Sequence, residues 1–294
     1  MPFRIVQSKQ NARLKELRRA LAHPGRETRG LAGIEGPNLL EEALRAGLRV
    51  DCVFVALGSE RLLEGLLLPA EIDVLAMPRE LLVQALATES PRPIAALVEP
   101  PDWTWAHVLG VHKGSAALLL VLAGLQDPGN LGTILRSAEA FGADGVIALP
   151  GTVSAWNPKA VRASAGSVFR VPLLVASVEE CFTRLHEAPL RVWTTVMRGA
   201  APADAVDLSA PVALLIGNEG NGVPEEIAAK AHGAITIPCP GPVESLNAAV
   251  AASVLLYEAS RQRAGHCVVA SHPSRKGKDA AMVGHPESLS EGAR

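Results

Sequence analysis

The 294-residue chain is 48% hydrophobic, carries a formal net charge of −2 and contains only 3% aromatic residues. That length suffices for two packed units or one large one, and so few aromatics disfavour a module that reads RNA by stacking bases on a sheet. The four cysteines, Cys52, Cys181, Cys239 and Cys267, are dispersed without a CxxC pair, which argues against a zinc site or a disulfide framework and fits a reducing compartment.

Charge is concentrated at the start. Within the first thirty residues Arg4, Lys9, Arg13, Lys15, Arg18, Arg19, Arg26 and Arg29 oppose only Glu16 and Glu27. Such a segment can neutralise phosphates and speed encounter with a polyanion, although a solvated helix face has the same composition. The N-terminus is charged and shows no secretory signal, and no apolar run approaches the roughly 18 residues of a membrane helix. A cytoplasmic protein is the expectation.

Next, Asn38 to Ala46 reads as a helix, Val50 to Leu57 and Ile72 to Ala76 as strands, Glu80 to Ala87 as a helix and Ile94 to Val98 as a strand. This alternation predicts a small α/β domain over residues 1–100. From Glu99 to Ser115 the periodicity lapses, so residues 101–116 read as a linker. Apolar runs then recur at Ala117–Ala123, Gly145–Leu149, Val171–Val175, Val192–Val196, Val212–Ile216 and Ala234–Ile237. Unbroken runs of this length predict strands covered on both faces, as in a parallel sheet. Between the first two, Leu131, Ile134, Leu135 and Ala138 have the spacing of one buried helix face. The final helix shows a similar stripe in Leu246, Ala249, Val250, Ser253, Val254 and Tyr257, with Leu255 and Leu256 as a second apolar face. Beyond it, residues 264–294 have the composition of a disordered tail.

Three polar clusters fall at strand ends, where open parallel sheets place ligands. The first, Asp127-Pro-Gly-Asn-Leu-Gly-Thr-Ile-Leu-Arg136, offers Asn130 as a helix N-cap and puts Arg136 off the apolar stripe, beside Thr133 and Ala140. A solvated helix arginine explains Arg136 equally well. The second, Leu214-Leu-Ile-Gly-Asn-Glu-Gly-Asn-Gly-Val-Pro224, is a glycine-rich turn holding Glu219, with a backbone free to approach a ligand. It matches neither the dinucleotide nor the phosphate-loop pattern. The third, Ile237-Pro-Cys-Pro-Gly-Pro-Val-Glu-Ser-Leu-Asn247, is a rigid turn in which Ser245 reads as the N-cap and Asn247 falls in the first helical turn.

Taken in this order and spacing, the clusters resemble the three motifs of the SpoU (TrmH) family of RNA 2′-O-ribose methyltransferases, within the SPOUT superfamily. The matching pieces are DPGNLGTILRSAEAFGADGVI, LLIGNEGNGVPEEI and IPCPGPVESLNAAVAASVLLYEASRQR, with NPKAVRASAGSVFRVPL between them. The N-terminal segment from SKQNARLKELRRALA to EGPNLLEEAL is similar, more loosely, to the ribosomal-protein-like (L30e-like) substrate-binding domain that many members carry. Where the family often has a Pro-Gln-Gly turn, this chain has Pro91-Arg92-Pro93.

The resemblance implies an α/β chain: a parallel-sheet domain over 117–263 with a deep trefoil knot, preceded by the small α/β domain. It implies methyl transfer from S-adenosylmethionine to a ribose hydroxyl, with ribosomal RNA favoured over transfer RNA, and a homodimer packed through the knot helices. Carried over by motif, Asn130, Arg136, Glu219, Ser245 and Asn247 are the functional polar positions, and Gly217, Ile237, Leu246 and either Thr194 or Thr195 contact the cofactor. Arg13, Lys15, Arg18 and Arg19 are the candidate RNA contacts, and no metal or membrane partner is expected. The competing readings are a non-catalytic RNA-binding protein that retained the fold and an enzyme acting on a small molecule.

Overall fold

The computed structural model describes residues 3–22, 30–86, 88, 90–109, 116–242 and 245–264. The expected tail lies outside the described residues beyond Ala264, as do Arg26 and Arg29.

The first half forms a mixed sheet from β1 (Arg4–Ile5), β2 (Ala32–Glu35), β3 (Val50–Ala56), β4 (Asp73–Met77) and β5 (Ile94–Val98), in the order β1-β4-β3-β5-β2. Three helices accompany it: α1 (Ala12–Ala22), α2 (Pro37–Arg45) and α3 (Arg79–Val83). The basic segment becomes α1, whose Leu14, Leu17, Ala20 and Leu21 are buried while Arg18 and Arg19 stay exposed. The alternation of strands and helices follows the predicted pattern, with β1 and β2 unforeseen and α3 shorter than the predicted Glu80–Ala87, of which Ala87 is outside the described residues.

The linker is less bare than its composition implies. Trp105–Val108 forms a turn of helix, α4, entered through a capping box between Thr104 and His107. Val108 is fully buried, and the Trp105 indole donates to Glu180 Oε1 at 2.9 Å. Local periodicity could not reveal this turn, because one helical turn is too short to establish a period.

The second half carries β6 (Leu118–Leu122), β7 (Gly145–Ala148), β8 (Leu173–Val175), β9 (Arg191–Thr195), β10 (Ala201–Pro202), β11 (Val212–Ile216) and β12 (Gly233–Thr236). They pair in the order β10-β12-β9-β11-β6-β7-β8, and every pairing is parallel. Both faces are covered, by α5 (Pro128–Ala140), α6 (Pro158–Ser164) and α9 (Ala248–Ala264) against one core cluster and by α7 (Val178–Glu187) and α8 (Glu225–Ala228) against another. All five residues of β6 and of β11 are buried, as their unbroken apolar character requires.

Gly132 sets how closely α5 and α6 approach. A Cβ there would lie 2.4 Å from the Ala160 carbonyl oxygen and 2.5 Å from Ala163 Cβ, so no side chain fits. With that flank against α6, Thr133, Arg136 and Ala140 remain exposed.

The last helix corrects the expected stripe. Its buried residues are Ala248, Ala249, Ala252, Leu255, Leu256 and Ala259, whereas Val250, Val254 and Tyr257 are 49%, 38% and 47% exposed. Small alanines let α9 lie close on α5 and the sheet, a fit that ranking residues by hydrophobicity misses. Near its end Arg263 turns inward and donates to the carbonyls of Ala116, Ala117, Leu208 and Ala210. Among the described residues no helix is long and apolar enough to cross a membrane, and no cluster of three or more His, Cys, Asp or Glu side chains could hold a metal ion.

Candidate active site

Because the second sheet is wholly parallel, the segments leaving β6, β11 and β12 emerge at one edge. These are the three polar clusters.

The first turns into α5 through Asp127, whose carboxylate accepts from the Asn130 N–H at 2.7 Å, with Pro128 at the first helical position. Asp127 is thus the N-cap, not Asn130 as expected. The side chain of Asn130 is thereby released for other work, and it donates to Glu219 Oε1 at 3.0 Å. Glu219 also accepts from the backbone N–H groups of Asp127 at 3.1 Å and Gln126 at 3.3 Å. Burial pushes the Glu219 carboxyl up, but the bonds from Asn130 and from backbone N–H groups outweigh it and hold it below the usual carboxylate range.

In the second cluster the chain folds back on itself through paired backbone bonds between Asn218 and Gly222 at 2.9 and 3.0 Å. Gly217 lies under this fold: a Cβ there would be 2.1 Å from the Gly222 carbonyl carbon. The space its missing side chain leaves is filled by the loop itself, which corrects the reading of all three glycines as room for a ligand; Gly222, with φ of 68°, faces open surroundings, and Gly220 meets the Asn218 side-chain oxygen at 3.5 Å. Sequence reasoning passed over Asn218, whose amide donates to the Gly124 carbonyl at 2.8 Å and ties the second cluster to the first.

The third cluster joins them through Asn247. Its amide donates to Asn130 Oδ1 at 3.0 Å, while its own oxygen accepts from the N–H groups of Ala249 at 2.9 Å and Val250 at 3.3 Å. Asn247 is therefore the cap of α9. Ser245, expected in that role, is exposed and has no hydrogen bond among the described residues. Leu246 and Ile237 are half-buried along the same segment.

A continuous chain of polar contacts, Glu219 to Asn130 to Asn247, thus unites the three motifs. Arg136 stands apart from it, exposed on α5 about 9 Å further along the helix axis. Its guanidinium has no hydrogen bond or ion pair among the described residues. On β9, next to β11, the two threonines differ. The Thr195 hydroxyl donates to the Leu215 carbonyl at 2.9 Å, whereas Thr194 is 5% exposed and its hydroxyl has no partner among the described residues.

The basic candidates on α1 also separate. Arg13 is held by Glu16 at 2.9 Å and Asp51 at 2.8 Å, so its charge is spent within the fold. Lys15, Arg18 and Arg19 have no such partners among the described residues.

Residues 117–257 match the model of the SpoU rRNA Methylase family. Over 256 residues the chain is 30% identical to the 23S rRNA (guanosine(2553)-2′-O)-methyltransferase RlmP of Bacillus subtilis, covering 86% of this chain and 97% of that one. Its structure resembles the SpoU methyltransferase AviRb of Streptomyces viridochromogenes in complex with AdoMet, with a TM-score of 0.77, 29% identity, and 87% and 99% of the two chains covered. It is also similar to the AdoMet-bound rRNA methyltransferase of Sinorhizobium meliloti, with a TM-score of 0.76, 28% identity, and 88% and 98% covered.

Proposed function

The chain belongs to the SpoU rRNA methylase family, and from that premise we propose that the edge formed by its three motifs transfers a methyl group to a ribose 2′-hydroxyl of ribosomal RNA. It is an S-adenosylmethionine-dependent RNA 2′-O-methyltransferase. The observation that carries the site assignment is the chain of contacts from Glu219 through Asn130 to Asn247, with Arg136 further along α5, exposed and without a partner among the described residues.

The residues suit the cofactor. An unpartnered Thr194 hydroxyl offers a polar contact, Ile237 and Leu246 offer apolar ones, and the backbone around Gly217 lies at the strand end where a ligand is expected. When bound, S-adenosylmethionine supplies an electrophilic methyl on its sulfonium. The remaining chemistry belongs to the chain. Asn130, Glu219 and Asn247 hold the three loops in one arrangement, and Arg136 is left to meet the RNA. A guanidinium stays charged at neutral pH, so Arg136 acts by donating to the 2′-oxygen and stabilising developing alkoxide charge, with an RNA phosphate oxygen as the nearby proton acceptor. Fixing the ribose hydroxyl in one orientation would supply much of the acceleration.

The finer architecture follows the family. The last strand, β12, is inserted between β10 and β9, which supports a C-terminal chain threaded through a trefoil knot. The exposed apolar face of α9, with Tyr257 edge-on to Phe141 at 5.8 Å, suits burial against a second copy in a homodimer. The N-terminal sheet with its basic α1 suits a ribosomal-protein-like RNA-binding domain.

Ribose-methylation mapping of total RNA from cells with and without the gene tests the function. One 2′-O-methyl missing from ribosomal RNA is the expected result. A change confined to transfer RNA overturns the substrate, and no change in any RNA overturns the reading.

A further inference from the structure

Arg170 follows a short 3₁₀ turn at Ser167–Phe169 and touches carboxylates from both halves of the chain. Its Nη1 donates to Glu42 Oε2 at 2.8 Å, and Glu42 lies on α2 of the N-terminal unit. Its Nε and Nη2 engage both oxygens of Glu139, the second at 3.2 Å. Glu139 sits on α5, one turn beyond Arg136. A lone exposed ion pair would contribute little, but this guanidinium is forked onto one carboxylate, bonded to a second and only one-third exposed. Mutual hydrogen bonding raises Arg170 and lowers Glu139 from their ordinary values.

The backbone is shaped for the same contact. Ala165 and Gly166 both take left-handed conformations, with φ of 50° and 94°. A Cβ at Gly166 would lie 2.8 Å from Glu42 Cβ, so only glycine lets α2 come this close. The preceding helix, α6, packs on β2 of the N-terminal sheet as well as on α5.

We propose that Arg170 is a positioning residue that locks the N-terminal unit onto the helix carrying Arg136, so that RNA held by α1 presents one ribose to that arginine. The inference rests on the RNA-methyltransferase reading above. It makes the enzyme selective for folded RNA large enough to touch α1 and Arg136 together. A short fragment spanning only the methylated nucleotide gains nothing from the lock.

The test uses the full chain with Glu42→Gln and Arg170→Met, each assayed on a long folded transcript containing the mapped target and on a short fragment of it. Spin labels at Glu80→Cys and Thr183→Cys, with Cys239 and Cys267 replaced by serine, report the separation of the two units. Expected for both variants is a KM for the long transcript raised at least fivefold, a kcat within twofold, unchanged cofactor affinity, an unchanged KM for the fragment and a broadened label distance. A narrow, wild-type-like distance distribution, or equal losses on both RNAs, overturns the proposal. If the wild-type protein methylates no RNA, the enzymatic reading fails while the label distances still decide the lock.

Discussion

The side chain of Asn247 donates to Asn130 Oδ1 at 3.0 Å, joining residues 117 positions apart in the chain. Both ends of the Asn247 amide are used, since its oxygen also caps α9. Aspartate can cap a helix but cannot donate. Asn247→Asp is therefore expected to hold stability within about 0.5 kcal/mol, whereas Asn247→Ala loses about 1 kcal/mol of capping. Both lose at least tenfold in methyl transfer. Urea unfolding paired with single-turnover assays separates the two effects, and an active Asn247→Asp enzyme would show that the donor is dispensable.

Glu219 gives the site a defined acid response. Its folded-state carboxyl lies below the unfolded value of about 4.3, so its stabilisation is fully present above that value. It is lost as pH falls through the lower, folded value. Glu219→Gln removes the titration. The gap in urea midpoint between wild type and Glu219→Gln should be constant from pH 5.5 to 7.5 and shrink below about pH 4.3. A gap that widens in acid contradicts the depressed carboxyl.

Arg136→Lys retains charge and loses the planar fork. We expect cofactor affinity within twofold of wild type and a loss of at least a hundredfold in kcat, about 2.7 kcal/mol of barrier. Isothermal titration and a methyl-transfer assay at saturating RNA measure the two quantities. Near-normal turnover in Arg136→Lys would leave only charge as its contribution.

Arg13 and Arg18 lie on one helix, but they should behave differently. Neutralising Lys15, Arg18 and Arg19 together should weaken RNA binding and lower the slope of log affinity against log salt by about 2. Arg13→Gln should leave that slope unchanged and instead destabilise the fold, because it strands Asp51 beside the buried Cys52. Filter binding at several salt concentrations, with thermal melts alongside, discriminates them.

For the exposed face of α9, Val254→Asp puts a charge in the middle of the apolar stripe between Val250 and Tyr257. Light scattering at micromolar concentration should give twice the chain mass for wild type and the single mass for Val254→Asp. A single-chain mass for wild type would remove the homodimer.

The central strands of the second sheet were legible because continuous burial leaves continuous apolar runs, as in Leu118–Leu122 and Val212–Ile216, whereas β8, β9 and β12 are only partly buried. The caps were legible only to within a turn. Asp127, Asn130, Ser245 and Asn247 can all cap a helix, and which of them does so is settled by Glu219 and by the contact between Asn130 and Asn247. Those contacts are tertiary and carry no local signature. Asp127 before a proline at the first helical position is the local signal of the α5 cap. The same limit separates Arg13 from Arg18: nothing near either one announces Asp51, 38 positions downstream of Arg13. On α9, ranking by hydrophobicity chose Val250 and Val254 over the alanines that close packing prefers.

Arg263 has a bearing on the order in which this protein matures. Its guanidinium closes on the carbonyls of Ala116 and Ala117, 147 and 146 positions earlier, at the entry to the first strand of the catalytic sheet. Contacts of such long range form late in folding, because the loop they close must first be ordered. Asn247 stands at the opposite end of the same helix. A chain that has collapsed but not yet docked α9 therefore lacks both the latch and the third motif. Docking α9 sets the Arg263 latch and the Asn247 contact to Asn130 in place together.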